Sequence, residues 1–397
     1  MSTGVAWLLS ADAVRERAHA LLAEAERGLL AHFEVRPERL GAAADLVAQV
    51  TRDAYPDLDV PYHSRWRHFV VAGKDRWADL AMRLDLDADE VARVRFDLAV
   101  TSVLLDAGAG ERWSYRDAGG TELARSEGLA IASFDMFRQG AFSADSERPW
   151  RADAAALAGI GEADLARGFQ VSADNPLVGL AGRAALLRRL GVALAEAPEL
   201  FGRPGRVGNL YDALKKRAVD GALPAAAILG AVLRGLGPIW PGRIELEGIN
   251  LGDVWRHPVG GLVPFHKLSQ WLSYSLVEPL EDAGIRVSGL DRLTGLPEYR
   301  NGGLLIDTGV LAPKDLRILA EPLEVGDEAV VEWRALTVAL LDRLAEEVRA
   351  RLGVTAQAFP LAKVLQGGTW TAGRVIARRL RPDGGPPIRI RSDGTVF

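Results

Sequence analysis

The chain has no cysteine among its 397 residues. That absence excludes disulfides, thiolate zinc sites, iron–sulfur clusters and a cysteine nucleophile, and it leaves the cytoplasm as the default expectation. Long apolar runs are missing too. The N-terminal VAWLLSADAV is too short for a secretory leader and runs into the charged RERAHALLAEAER, and no stretch reaches the length of a membrane span. An excess of positive charge is also lacking. With 48 Lys and Arg against 53 Asp and Glu, the net charge is −5, so no basic field attracts nucleic acid or an anionic membrane, and any anion must be bound locally. Histidines number only six, at 19, 32, 63, 68, 257 and 266, with no HxH or HExxH pattern among them. No metal and no cofactor are therefore expected, a site built from His63, His68, His257 and His266 with Asp253 being the weaker alternative. GxSxG, Walker and dinucleotide fingerprints are absent.

What is present is helical periodicity. Apolar residues recur at three- and four-residue steps over 11 to 33 and 42 to 55, and LDLDADEVARVRFDLAVTSVLLDAGAG has the form of a capped helix ended by glycine. Further helices are expected at LAIASFDMFRQGAF, at PLVGLAGRAALLRRLGVALAEA with proline in its first turn, over 266 to 277, and over 327 to 352. WSYRDAGGTELARSEG reads as a hairpin around Gly119-Gly120, 237 to 265 as an aromatic loop, and IRIRS near the C-terminus as an edge strand. The expected architecture is mainly α with few short strands. It forms a single large helical unit over 1–397, divisible into an N-terminal half, 1–150, and a C-terminal half, 151–397.

The densest group of chemical side chains is DRLTGLPEYRNGG, Asp291 to Gly303. Pro297 and the Gly302-Gly303 pair are expected to fix a turn around it, and Leu304-Leu305-Ile306 follows at once, so the cluster borders buried structure. A carboxylate there is partly desolvated and its proton affinity rises, which suits acid/base or cation-stabilising work. On the helix from His266, residues Lys267, Gln270 and Tyr274 share a face, and a lysine beside free helix N–H groups suits a phosphate. Asp97 lies in an otherwise apolar helix and must find donors, with a structural bond favoured over catalysis. Glu332 and Arg334, two apart on a helix, are expected to serve separate partners.

WRHPVGGLVPFHKLSQWLSYSLVEPLEDAG and DRLTGLPEYRNGGLLIDTGVL, with RSEGLAIASFDMFRQGAFS, ADNPLVGLAGR and VGDEAVVEWRALTV, resemble the uracil-catabolism protein family of the URC pathway over nearly the whole chain. A more distant resemblance runs to queuosine salvage glycosylases, whose pattern D-x-L-T-x-F-A-D-Y-R-V-P-x-x-L is similar to DRLTGLPEYRNGGLL. That likeness implies an all-helical core akin to helix-hairpin-helix DNA glycosylases and hydrolysis of an N-ribosidic bond. It puts Glu298 where those enzymes keep a catalytic aspartate, matches Tyr299 and Arg300 outright, and aligns Lys267 and Gln270 with their K-R-A-Q. Leu268 replaces the arginine of that motif, and Asn301-Gly302 replaces V-P, which implies a different leaving group.

Joined, the two resemblances imply a small phosphorylated ribosyl substrate, ribosylurea 5′-phosphate, cleaved to urea and ribose 5-phosphate. Glu298 is the expected catalytic carboxylate. Tyr299 and Arg300 are its expected supports, Lys267 and His266 the phosphate ligands, and Asp97, Gln270, Asp291 and Asn301 further substrate contacts. The alternatives are a metal-assisted amidohydrolase acting on the ureido group and a non-catalytic helical partner of other pathway enzymes. No oligomeric state follows from these residues.

Overall fold

Apolar periodicity becomes helix where a side chain satisfies the first free N–H groups. Ser10 accepts from Ala13 N at the head of Ala11–Glu26, and Asp87 accepts from Glu90 N at the head of Ala88–Leu104, each cap contributing about 1 kcal/mol. The computed structural model describes residues 4–110 and 112–391. It is mainly α, and every sheet among the described residues has two short strands. No described helix is long and apolar enough to cross a membrane.

The described residues form two units, each discontinuous in sequence. The first gathers those of Met1–His63, Gly242–Gln270 and Gly289–Arg391, and the second those of Ser64–Pro241 and Trp271–Ser288. Residue 150, where a division between halves was expected, lies inside the second unit.

In the first unit the helix Glu328–Leu352 buries Trp333, Leu336, Leu340, Leu341 and Leu344 and packs against Ala11–Glu26 and Leu40–Ala54. Each large side chain so buried contributes roughly 1.5–3 kcal/mol. The stretch expected as an aromatic loop contains two antiparallel pairs, Glu245–Leu246 with Ile249–Asn250 and Val254–His257 with Gly261–Pro264. Strands of two to four residues are too short for a period-two pattern to register in the sequence. The expected edge strand appears as Ile390–Arg391, parallel to Leu323–Glu324.

The second unit is built around Ala88–Leu104, which is buried on all sides from Val94 to Leu104. The expected hairpin pairs Ser114–Arg116 with Glu122–Ala124. One helix begins later than its proline suggested: it spans Leu180–Glu196, after Gly179 at φ 73°. Its Gly191 is required by contact, because a Cβ there would lie 2.4 Å from Ala158 N on the helix Ala154–Gly159.

Candidate active site

The DRLTGLPEYRNGG segment passes from extended chain into the helix Tyr299–Asp307, and Glu298 is the residue at the junction. Its backbone is extended while its carboxylate folds back over the helix start. Oε2 accepts Arg300 N at 2.8 Å and Oε1 accepts Asn301 N at 2.6 Å. The residue keeps some accessible surface, but its carboxyl is closely surrounded by protein. Burial pushes the Glu298 carboxyl up, against the two N–H donors and the charges of Lys267 and Arg300, which draw it down. A carboxylate has about four lone-pair positions, so two N–H bonds orient it without filling it.

Gly302 and Gly303 were expected in a turn and instead lie inside this helix. Packing explains them. A Cβ on Gly302 would come within 2.6 Å of the Trp333 indole, and one on Gly303 within 3.0 Å of Pro387 Cδ. Asn301, fully buried, ties the helix head to its surroundings: its amide donates to Leu296 O at 3.0 Å, and its carbonyl accepts the Thr369 hydroxyl at 2.8 Å. Thr369 closes a π-helical turn, Leu365–Thr369, a form that recurs at functional sites. Gln366 of the same turn accepts from His63 Nδ1 at 3.0 Å, and burial pushes that imidazole down to about 4, so it is neutral. This turn was not anticipated, its trace in the sequence being the glycine pair of LQGGTW.

The helix Lys267–Asp282 contributes its first turn, Lys267 to Gln270, to the same unit. An anion was expected at its free N–H groups, and Asp253 supplies one: Oδ2 accepts Lys267 N at 3.1 Å. Asp253 is also held by both terminal nitrogens of Arg334 at 2.8 Å and by Trp255 Nε1 at 2.7 Å. Burial alone would raise this carboxyl, yet the Arg334 guanidinium holds it well below the usual carboxylate range. A carboxylate so engaged is a fixed counter-ion rather than a vacant metal ligand. Arg334 stacks on Phe265 at 4.1 Å, whereas Glu332 accepts the N–H groups of Ala31 and His32, both at 3.0 Å. The two residues thus serve separate partners, as their spacing implied.

The remaining candidates divide by accessibility. Lys267, Tyr299 and Arg300 keep accessible surface near Glu298 in the chain or in charge, and Arg300 also donates to Gly384 O at 2.9 Å. His266 is buried at φ 48°, its Nε2 donating to Leu8 O at 2.8 Å. Burial holds it below the usual histidine range, so that nitrogen supplies no charge or donor to a phosphate. Gln270, expected on a helix face with Lys267, is fully buried and bonded to Thr294. Asp291 is exposed and accepts Leu361 N at 2.9 Å, with Arg349 at 3.4 Å. Asp97 belongs to the second unit, where Arg206 Nε at 2.8 Å and Gly208 N at 2.6 Å bind its carboxylate. Burial pushes Asp97 up to about 6, in spite of Arg206. Arg206 is held above its ordinary value, since its carboxylate partners outweigh its own burial. At neutral pH the pair is ionised.

The chain is similar to known proteins over nearly its whole length. Protein urg3 of Schizosaccharomyces pombe is 40% identical over 404 residues, covering 99% of this chain and 99% of that protein. Uracil catabolism protein 4 of Lachancea kluyveri is 38% identical over 436 residues, again with 99% of each chain covered. The name of the second relative bears out the resemblance to uracil-catabolism proteins. The family model described as "Protein of unknown function (DUF1688)" matches residues 7–397. The match takes in the Glu298 segment, the Lys267 turn and the Asp253–Arg334 pair together, and this chain belongs to the DUF1688 family.

Proposed function

We propose that the chain acts in uracil catabolism as an N-ribosyl hydrolase, cleaving ribosylurea 5′-phosphate to urea and ribose 5-phosphate. The observation that carries the reading is the Glu298 carboxylate, oriented by two N–H groups and raised in proton affinity by burial, with the charge of Lys267 acting on it. The name of the Lachancea kluyveri relative, a uracil catabolism protein, supports the pathway. The likeness of the LPEYR segment to a glycosylase motif supports the bond cleaved.

In this reaction the bond between C1′ and the urea nitrogen breaks and a bond from C1′ to a water oxygen forms. Glu298 stabilises the positive charge that develops on the sugar and takes one proton from the water; the departing nitrogen takes a proton from solvent to leave as neutral urea, and Glu298 returns its proton to solvent. Lys267 holds the 5′-phosphate, so that binding energy remote from C1′ orients the sugar. Tyr299 and Arg300 contact the ribose hydroxyls.

The test is incubation of the full chain with ribosylurea 5′-phosphate. Urea and ribose 5-phosphate are expected in equal amounts. Release of ammonia with the ribosyl bond intact, or no turnover, overturns the reading.

A further inference from the structure

A second set of side chains in the first unit, His32, Glu328 and Glu332, takes no part in the proposed reaction. Glu328 and Glu332 occupy successive turns at the head of Glu328–Leu352, and with His32 they bring three ligand atoms within 4.8 Å of one another. His32 Nε2 and Glu328 Oε1 are 3.7 Å apart. Donors about 2.1 Å from a tetrahedral zinc ion are about 3.4 Å apart. One edge of the triangle is therefore nearly at coordination distance, and no edge has to close by more than about 1.4 Å. The like charges at i and i+4 repel one another unless something neutralises them.

A separate observation points the same way. His257, 3% exposed, finds no hydrogen-bond partner for Nε2 among the described residues. Its Nδ1 accepts the N–H groups of Val259 at 3.2 Å and Gly260 at 3.0 Å, which places the proton on Nε2, aimed at Glu332 Oε1 3.5 Å away. With the N–H groups of Ala31 and His32, Glu332 faces three donors. Outer donors of this kind orient a carboxylate that ligates a metal. His32 and Glu328 are half-buried, so the site opens to water on their side.

We infer that His32, Glu328 and Glu332 bind a divalent cation of the zinc class, with His257 as a positioning residue and water completing the coordination. One imidazole nitrogen with two carboxylates suits zinc better than magnesium, which prefers an all-oxygen octahedron. The cation ties the start of the strand Phe33–Val35 to the head of Glu328–Leu352. This site is independent of the Glu298 reading.

The test uses the full chain stripped with chelator and titrated with zinc chloride by calorimetry, followed by metal analysis of the dialysed protein. One equivalent of zinc per chain is expected, together with a higher melting temperature. Glu328→Gln and His32→Gln, both on the open side of the site, are each expected to weaken binding at least about tenfold while leaving the circular dichroism unchanged. His19→Gln, a histidine bonded to Asp342 instead, should bind as the natural chain does. No zinc uptake by the natural chain, or natural affinity in either the Glu328 or the His32 variant, overturns the inference.

Discussion

Glu298→Gln separates chemistry from architecture, because the proposed reaction adds a second and larger job to the cap that the structure shows. As a helix cap it accepts Arg300 N and Asn301 N, and losing a cap altogether costs about 1 kcal/mol. Glutamine keeps one acceptor oxygen, so about 1 kcal/mol is an upper figure for the stability lost. The raised proton affinity of Glu298 lowers it further. A carboxyl whose folded pKa lies above its unfolded one stabilises the fold at pH below the unfolded value, and that contribution is lost as pH rises through the folded value. The ionised glutamate thus carries a burden of burial that the amide does not. Under the proposed mechanism catalysis is expected to suffer far more, since a neutral amide neither accepts the proton of water nor stabilises a cation. Loss of one such group typically costs about 100- to 1,000-fold in kcat, equivalent to about 2.7–4 kcal/mol.

The assay is kcat and KM on ribosylurea 5′-phosphate beside urea denaturation of the same preparation. Expected are a fall in kcat of about 100-fold or more, a KM changed by only a few-fold, and stability within about 1 kcal/mol of the natural chain. The acid limb of kcat/KM in the natural chain should lie above the ordinary glutamate value of 4.5, because burial raises the carboxyl that must be ionised. Turnover in Glu298→Gln within about threefold of natural would refute the chemical role and leave the residue as a cap.

Lys267→Met should raise KM for the phosphorylated substrate while leaving that for the unphosphorylated ribosylurea unchanged, which steady-state kinetics on the two compounds will check. Arg334→Leu leaves Asp253 buried without its counter-ion and should cost about 3–5 kcal/mol by urea denaturation, and lysine should restore little because it cannot reproduce the two-point contact. Gly302→Ala drives a methyl group into the Trp333 indole, 2.6 Å away, and should destabilise by about 1–3 kcal/mol with a change in tryptophan fluorescence. Asp97→Asn should abolish a pH dependence of stability. In the natural chain the folded carboxyl is raised from 3.8 to about 6, so the stability it adds is present below pH 3.8 and is lost by roughly 3 kcal/mol as pH rises through that window. Denaturation curves from pH 4 to 7 will show whether the slope disappears.

The fold class was legible because long helices leave a repeated mark. Trp333, Leu336, Leu340, Leu341 and Leu344 trace the buried face of Glu328–Leu352, and the hairpin around Gly119-Gly120 follows from its turn chemistry. What the chain order hides is tertiary. Asp253 and Arg334 are 81 residues apart, and nothing local in either segment announces the other. Glu298 is not legible as a cap because glutamate is not among the favoured cap residues, while Asp291, of a residue type that is favoured, reaches across 70 residues to Leu361 N. The glycine pair at 302 and 303 misled for a related reason. Turns and close helix packing both select glycine, and only the position of Trp333 distinguishes them.

The cap also limits what the motif likeness can carry. An aspartate at the position of Glu298 would make a favoured cap, and Glu298 itself accepts two helix N–H groups, so capping accounts for a carboxyl oxygen there without any chemistry. Helix initiation does not explain why the carboxyl is enclosed, since caps work well at the surface and burial opposes the ionised form that accepts N–H bonds best. Nor does it explain why a lysine from a different helix acts on the same carboxylate. A cap that is desolvated, oriented and set beside a cation is costly as architecture. The same arrangement is useful to a sugar carbon acquiring positive charge, because an oriented carboxylate needs no reorganisation when that charge appears.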